Sequence, residues 1–101
     1  MNLGLKGKKA IVTGGSRGIG RAVANRLAME GANVAICARS RDEVAEAVKA
    51  LQGMGVRATG GGVDVSDGPA LKAWIDSATG ELGGLDILVP NVSAMASSHT
   101  E

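Results

Sequence analysis

Apolar residues in this chain fall in short unbroken runs, separated by stretches with helical spacing. Residues 9–13 contain Ala10-Ile11-Val12 between basic residues and glycines, which predicts a short buried strand. Over residues 18–30, Ile19, Ala22, Val23 and Leu27 repeat at i, i+3, i+4 and i+8. That spacing predicts a helix, with Gly31 placed to cap its C-terminus. Residues 33–38 form a second apolar run. Ser40-Arg41-Asp42-Glu43 then has capping-box spacing ahead of a helical face of Val44, Ala47, Val48 and Leu51, which Gly53 and Gly55 end.

The pattern weakens in the middle. Residues 56–65 predict a third strand, but Gly60-Gly61-Gly62 makes it a poor one, because glycine costs entropy and offers nothing to pack. Ser66-Asp67-Gly68-Pro69 signals a helix start, and Leu71, Trp74, Ile75, Ala78 and Leu82 line that helix. Gly83-Gly84 breaks it, and residues 86–89 predict a fourth strand. The order is therefore βαβαβαβ. Helical crossovers imply a parallel sheet with right-handed connections, with expected strand order 3-2-1-4. Residues 1–93 would form one partial domain and 94–101 an irregular tail, with no internal repeat. The first two helices are expected on one face of the sheet and the third on the other.

The chemistry concentrates after the first strand, at Thr13-Gly14-Gly15-Ser16-Arg17-Gly18-Ile19-Gly20. A glycine turn between strand and helix aims backbone N–H groups and the positive helix end at an anion, typically a nucleotide phosphate. Gly14 permits a tight turn, and Gly18 and Gly20 allow close approach of backbone and helix. This is not a P-loop, since Arg21-Ala22 stand where Lys and Ser/Thr would be needed. Nor does it have the G-x-G-x-x-G spacing.

About twenty residues beyond such a turn, an NAD site places an acid against the adenosine ribose, whereas NADP requires a cation for the 2′-phosphate. Here the sequence is Ala38-Arg39-Ser40-Arg41. Ala38 takes the acid's place, and Arg17 within the turn can point at the same region. Two guanidiniums suit a phosphate, so the expected cofactor is NADP(H). Asp42 and Glu43 are competing acids assigned to the helix cap, and Glu43 is expected to be solvated. Asp64, expected at the end of strand three, could accept from an adenine amino group with Val65 near the ring. Asn91, after strand four, could bridge loops or approach the cofactor.

Composition narrows the alternatives. In 101 residues the formal net charge is +1, which argues against a broad nucleic-acid or membrane footprint. Hydrophobic residues make up 45% and aromatic ones only 1%, so the core must be aliphatic, with Trp74 its one large ring. The single cysteine, Cys37, excludes an intrachain disulfide framework and a Cys-cluster metal site. It fits a small core residue in a reducing, cytoplasmic setting. His99 has no partner in sequence.

The turn, with Asp64-Val65 and Asp86-Ile87-Leu88-Val89 at their intervals, resembles the short-chain dehydrogenase/reductase family from Leu5 to about Ser93. It is loosely similar to 3-oxoacyl-carrier-protein reductases. The resemblance implies the N-terminal half of a doubly wound, Rossmann-type α/β sheet that serves carbonyl–alcohol interconversion. The resemblance assigns the adenosine half to Gly14, Ser16, Arg17, Ile19, Arg39, Asp64 and Val65, and with Gly18, Gly20, Ser40 and Asn91 these form the expected cofactor-binding set. Two departures stand out. Relatives have Asn-Asn-Ala-Gly where this chain has Pro90-Asn91-Val92-Ser93, and the family's catalytic Ser and Tyr-x-x-x-Lys are missing, since the sequence has no tyrosine. These 101 residues are therefore expected to bind a dinucleotide without catalysing alone. Two other expectations remain open: a stand-alone binding module, or a self-associating piece exposing the apolar edge of strand four.

Overall fold

The structure is a computed structural model and describes residues 4–91. It contains β1 (Lys9–Thr13), α1 (Gly18–Met29), β2 (Asn33–Ala38), α2 (Arg41–Gln52), β3 (Ala58–Gly62), α3 (Gly68–Leu82) and β4 (Ile87–Pro90). All strand pairs are parallel, in the order β3-β2-β1-β4. The chain steps outward from β1 through β2 to β3, then returns to the far side of β1. This reversal makes the carboxyl ends of β1 and β4 a topological switch point, where open α/β sheets bind ligands.

β1 and β2 are the centre of the molecule, and their unbroken apolar runs reflect burial on both faces. Val12, Val34 and Ile36 pack against Ala24 and Ala28 of α1 and Val44, Ala47 and Leu51 of α2. Ile11 and Ala35, one residue out of phase, pack against Ala78 and Leu82 of α3, with Trp74 and Ile75 partly buried beside them. Two helices on one face and one on the other match the expected layering. Ile11, Ile36, Leu51, Val12 and Val34 are fully buried, each contributing about 1.5–3 kcal/mol by leaving water.

Three expectations are corrected. β3 is shorter than residues 56–65, so Asp64 and Val65 lie in the loop after it. β4 begins at Ile87 and takes in Pro90, leaving Asp86 outside. Asp86 instead accepts from the Lys9 N–H at 2.9 Å through its carboxylate. The third correction concerns α1, whose buried residues are Gly20, Ala24 and Ala28, while Ile19 is 71% exposed. The buried stripe of α1 starts at Gly20, which closes on the turn, and leaves Ile19 off it.

The glycine triplet has a packing reason. A Cβ at Gly60 would lie 2.5 Å from Val44 Cγ1, one at Gly61 2.5 Å from Trp74 Nε1, and one at Gly62 2.5 Å from Arg41 Cγ. Bare backbone lets α2 and α3 close on β3 from opposite faces. On the other side, α3 packs over β1, β2 and β3 but does not reach β4. Leu88 is consequently 47% exposed. Val92, Ser93, His99 and the expected tail lie outside the described residues.

Candidate functional site

The turn after β1 is fastened on both sides. Its Gly14 and Gly15 N–H groups donate to the Cys37 carbonyl at 2.7 and 3.2 Å, tying it to the end of β2. From the β4 side, the Asn91 N–H donates to Thr13 Oγ1 at 3.1 Å, and Asn91 Nδ2 donates to the Gly14 carbonyl at 3.2 Å. Asn91 is thus the bridge between neighbouring loops that its position suggested.

Each glycine has its own reason. Gly14 has φ +71° and Gly18 φ +63°, the left-handed region that favours glycine. A Cβ at Gly20 would strike the Gly14 carbonyl and come within 2.5 Å of Asn91 Nδ2, so α1 packs directly on the turn. At Gly18 there is open space, which leaves its backbone approachable.

The N-terminus of α1 is electrostatically unfilled by its own residues. Arg17 occupies the N-cap in extended conformation without a side-chain cap bond, and the first turn carries no acid. Its first N–H groups and positive dipole end therefore remain available to an anion. Exposed Ile19 sets an apolar surface beside them. Open Gly18, the uncapped amides and nearby guanidiniums together fit a nucleotide phosphate.

The two cations are separately neutralised. Arg39 Nη2 lies 3.4 Å from Asp64 Oδ1, and Arg17 Nη1 lies 3.8 Å from Glu43 Oε2. Asp64 also accepts from Ser66 Oγ at 2.6 Å and the Ser66 N–H at 3.0 Å. The Ser66 hydroxyl, then its N–H, with Arg39 adding, hold the Asp64 carboxyl below its ordinary value. Arg17 and Arg39 stand at the same sheet edge, but each is drawn to its own acid. Val65 is half-buried beyond β3. Ser40 caps α2, with its hydroxyl accepting from the Glu43 N–H at 3.2 Å.

Glu43 has a side chain that is 42% exposed, in keeping with a solvated helix residue, but it also takes a tertiary partner. Its Oε1 accepts from Ser16 Oγ at 3.2 Å, and Ser16 is buried. The signal for this was its third place in a helix starting at the same carboxyl edge as the glycine turn. Cys37 is a core residue as expected: burial raises its thiol pKa, partly offset by the Gly14 N–H. Among the described residues no group of three or more His, Cys, Asp or Glu could hold a metal ion. No described helix is long and apolar enough to cross a membrane.

The family model for short chain dehydrogenases matches residues 8–101. The chain belongs to the short-chain dehydrogenase family. Among its family relatives is isoepoxydon dehydrogenase of Penicillium expansum, 36% identical over 98 residues, covering 94% of this chain and 38% of that protein. Similar solved structures include L-sorbose reductase of Gluconobacter frateurii complexed with NADPH and L-sorbose. It has a TM-score of 0.84 at 41% identity, over 91% of this chain and 35% of the other. Carveol dehydrogenase of Mycobacterium avium in complex with NAD gives 0.81 at 34% identity, over 86% of this chain and 36% of the other. The chain spans 34%, 7% and 38% of the length of three curated relatives it matches.

Proposed function

We propose that these residues hold the adenosine half of NADP(H) for a short-chain oxidoreductase that interconverts a carbonyl and an alcohol. The observation that carries this reading is Arg39 at the end of β2, where Ala38 stands in place of a ribose-binding acid, with Arg17 at the uncapped start of α1. Similar proteins hold nicotinamide dinucleotides of both kinds, so the family leaves the choice to these side chains.

In this reading the amides of Gly18, Ile19 and Gly20 face the pyrophosphate, and Gly14 keeps the turn tight. Arg39, Arg17, Ser16 and Ser40 surround the adenosine ribose and its 2′-phosphate. Asp64 accepts from the adenine amino group beside Val65, and Asn91 braces the turn below the cofactor's middle. The sequence has no tyrosine, and its last lysine is Lys72. We therefore assign proton transfer to groups outside these 101 residues. Cys37 suits a reducing, cytoplasmic setting.

Titration of the chain with NADPH and NADH tests the proposal. Arg39→Ala and Arg17→Ala should each weaken NADPH about tenfold, the scale of one charge-assisted hydrogen bond, and NADH much less. Equal losses would refute the 2′-phosphate assignment.

A second reading rests on Leu88, 47% exposed on a strand whose only pairing among the described residues is with β1. It makes β4 an edge for self-association or for the remainder of a longer protein. Sedimentation of the wild type against Leu88→Lys tests the first option: a concentration-dependent dimer that the lysine abolishes supports it, and a monomer throughout removes it.

A further inference from the structure

Glu43 lies beside the groups a ligand's anion would use. Its Oε1 accepts from Ser16 Oγ at 3.2 Å, and its Oε2 faces Arg17 Nη1 at 3.8 Å. The Glu43 N–H is fixed on Ser40 Oγ, so the start of α2 sets where this carboxylate begins. Ser16 is buried and has one proton to donate, here committed to Glu43. The Arg17 side chain is 83% exposed and that of Glu43 42%. So open an ion pair is weak, and the guanidinium can change partner readily.

We infer that Glu43 is an internal counter-anion that competes with a ligand's 2′-phosphate for Ser16 and Arg17, and thereby sets the balance between phosphorylated and unphosphorylated dinucleotides. A ribose 2′-hydroxyl can donate to this carboxylate, whereas a 2′-phosphate cannot and is repelled by it. Ala38 leaves the end of β2 without an acid, and Glu43 brings one to the same edge from the first turn of α2. Cofactor preference is then a contest between Arg17 and Arg39 on one side and Glu43 on the other. This rests on the glycine turn being a dinucleotide site.

The test is equilibrium titration of the wild type, Glu43→Gln and Glu46→Gln with NADPH, NADH and adenosine 2′,5′-bisphosphate. Glutamine keeps an oxygen acceptor for Ser16 and removes only the charge. Glu46 is exposed, one turn further along α2, and controls for net charge. Glu43→Gln should tighten NADPH and the bisphosphate about fivefold, the factor that corresponds to an exposed ion pair at its stronger end. NADH should stay within about twofold or weaken, and Glu46→Gln should move each ligand less than about twofold. An equal gain for NADPH and NADH, or the same shift from Glu46→Gln, overturns the role of Glu43 while leaving dinucleotide binding intact. Failure of the folded wild type and Glu43→Gln to bind any of the three overturns the proposed function and this inference together.

Discussion

The side-chain amide of Asn91 donates to the carbonyl of Gly14 at 3.2 Å, joining the end of the last described strand to the turn after the first. The Asn91 N–H donates to Thr13 Oγ1 as well. One residue thereby closes the cradle from the β4 side. Asn91→Ala should cost about 1 kcal/mol, the net worth of a part-buried hydrogen bond, and loosen the turn. Thermal unfolding and amide exchange at Gly14 and Gly15 would show it. Unchanged stability and protection would mean that Asn91 is not the brace.

Gly20 and Gly18 should respond differently to alanine. At Gly20 the added Cβ meets the Gly14 carbonyl and the Asn91 amide, so Gly20→Ala must push α1 from the turn, at about 1–3 kcal/mol. At Gly18 there is no steric neighbour, and the cost is the positive φ alone, about 1 kcal/mol. The two melting temperatures should rank accordingly. A Gly20→Ala protein as stable as the wild type would contradict the close packing of α1 on the turn.

Trp74 reports on β3. It is the sole tryptophan, and its indole edge occupies the space a Cβ at Gly61 would take. Gly61→Val should expel the indole, shift its emission to the red and cost about 1–3 kcal/mol. An unshifted spectrum would show that α3 does not depend on the bare strand.

Asp64 gives a pH dependence with a definite sign. Its folded-state pKa is lowered, mainly by Ser66 and also by Arg39. Its contribution is therefore present above the carboxyl's ordinary value and is lost as pH falls through the lowered one. Carboxyl titration followed by NMR should place Asp64 below the ordinary aspartate value, and Ser66→Ala should raise it toward normal. No change on removing Ser66 would reject that cause.

Much of this architecture is legible in the sequence, for local reasons. The runs 9–13 and 33–38 coincide with β1 and β2 because strands buried on both faces carry uninterrupted apolar residues. Ser40 and Asp67 cap α2 and α3 as their spacing suggests. What escapes local reading depends on distant partners. Gly60–Gly62 resemble a defect until Val44, Arg41 and Trp74 arrive from two helices. Periodicity groups Ile19 with Val23 and Leu27, yet it cannot show that the buried stripe of α1 runs along Gly20, Ala24 and Ala28. Glu43 looks like a cap residue because Ser16, 27 positions earlier, is its neighbour only in the folded chain. The glycine turn and its open helix start are legible in the sequence, whereas the pairing of Arg17 with Glu43 and of Arg39 with Asp64 is a tertiary fact.

The two borders of the sheet are chemically unequal. The bordering strand on one side is Ala58-Thr59-Gly60-Gly61-Gly62 and on the other Ile87-Leu88-Val89-Pro90. Glycine-rich backbone has little tendency to stack into β assemblies, while the apolar border invites pairing. Association through β4 would therefore be like-with-like, around a two-fold axis, and would consume the one adhesive border each molecule presents among the described residues. Growth into a fibre needs a second, complementary border. Were β4 to pair with a second copy, the glycine-rich border at β3 would offer no complementary apolar edge, and edge-to-edge assembly would stop at closed pairs.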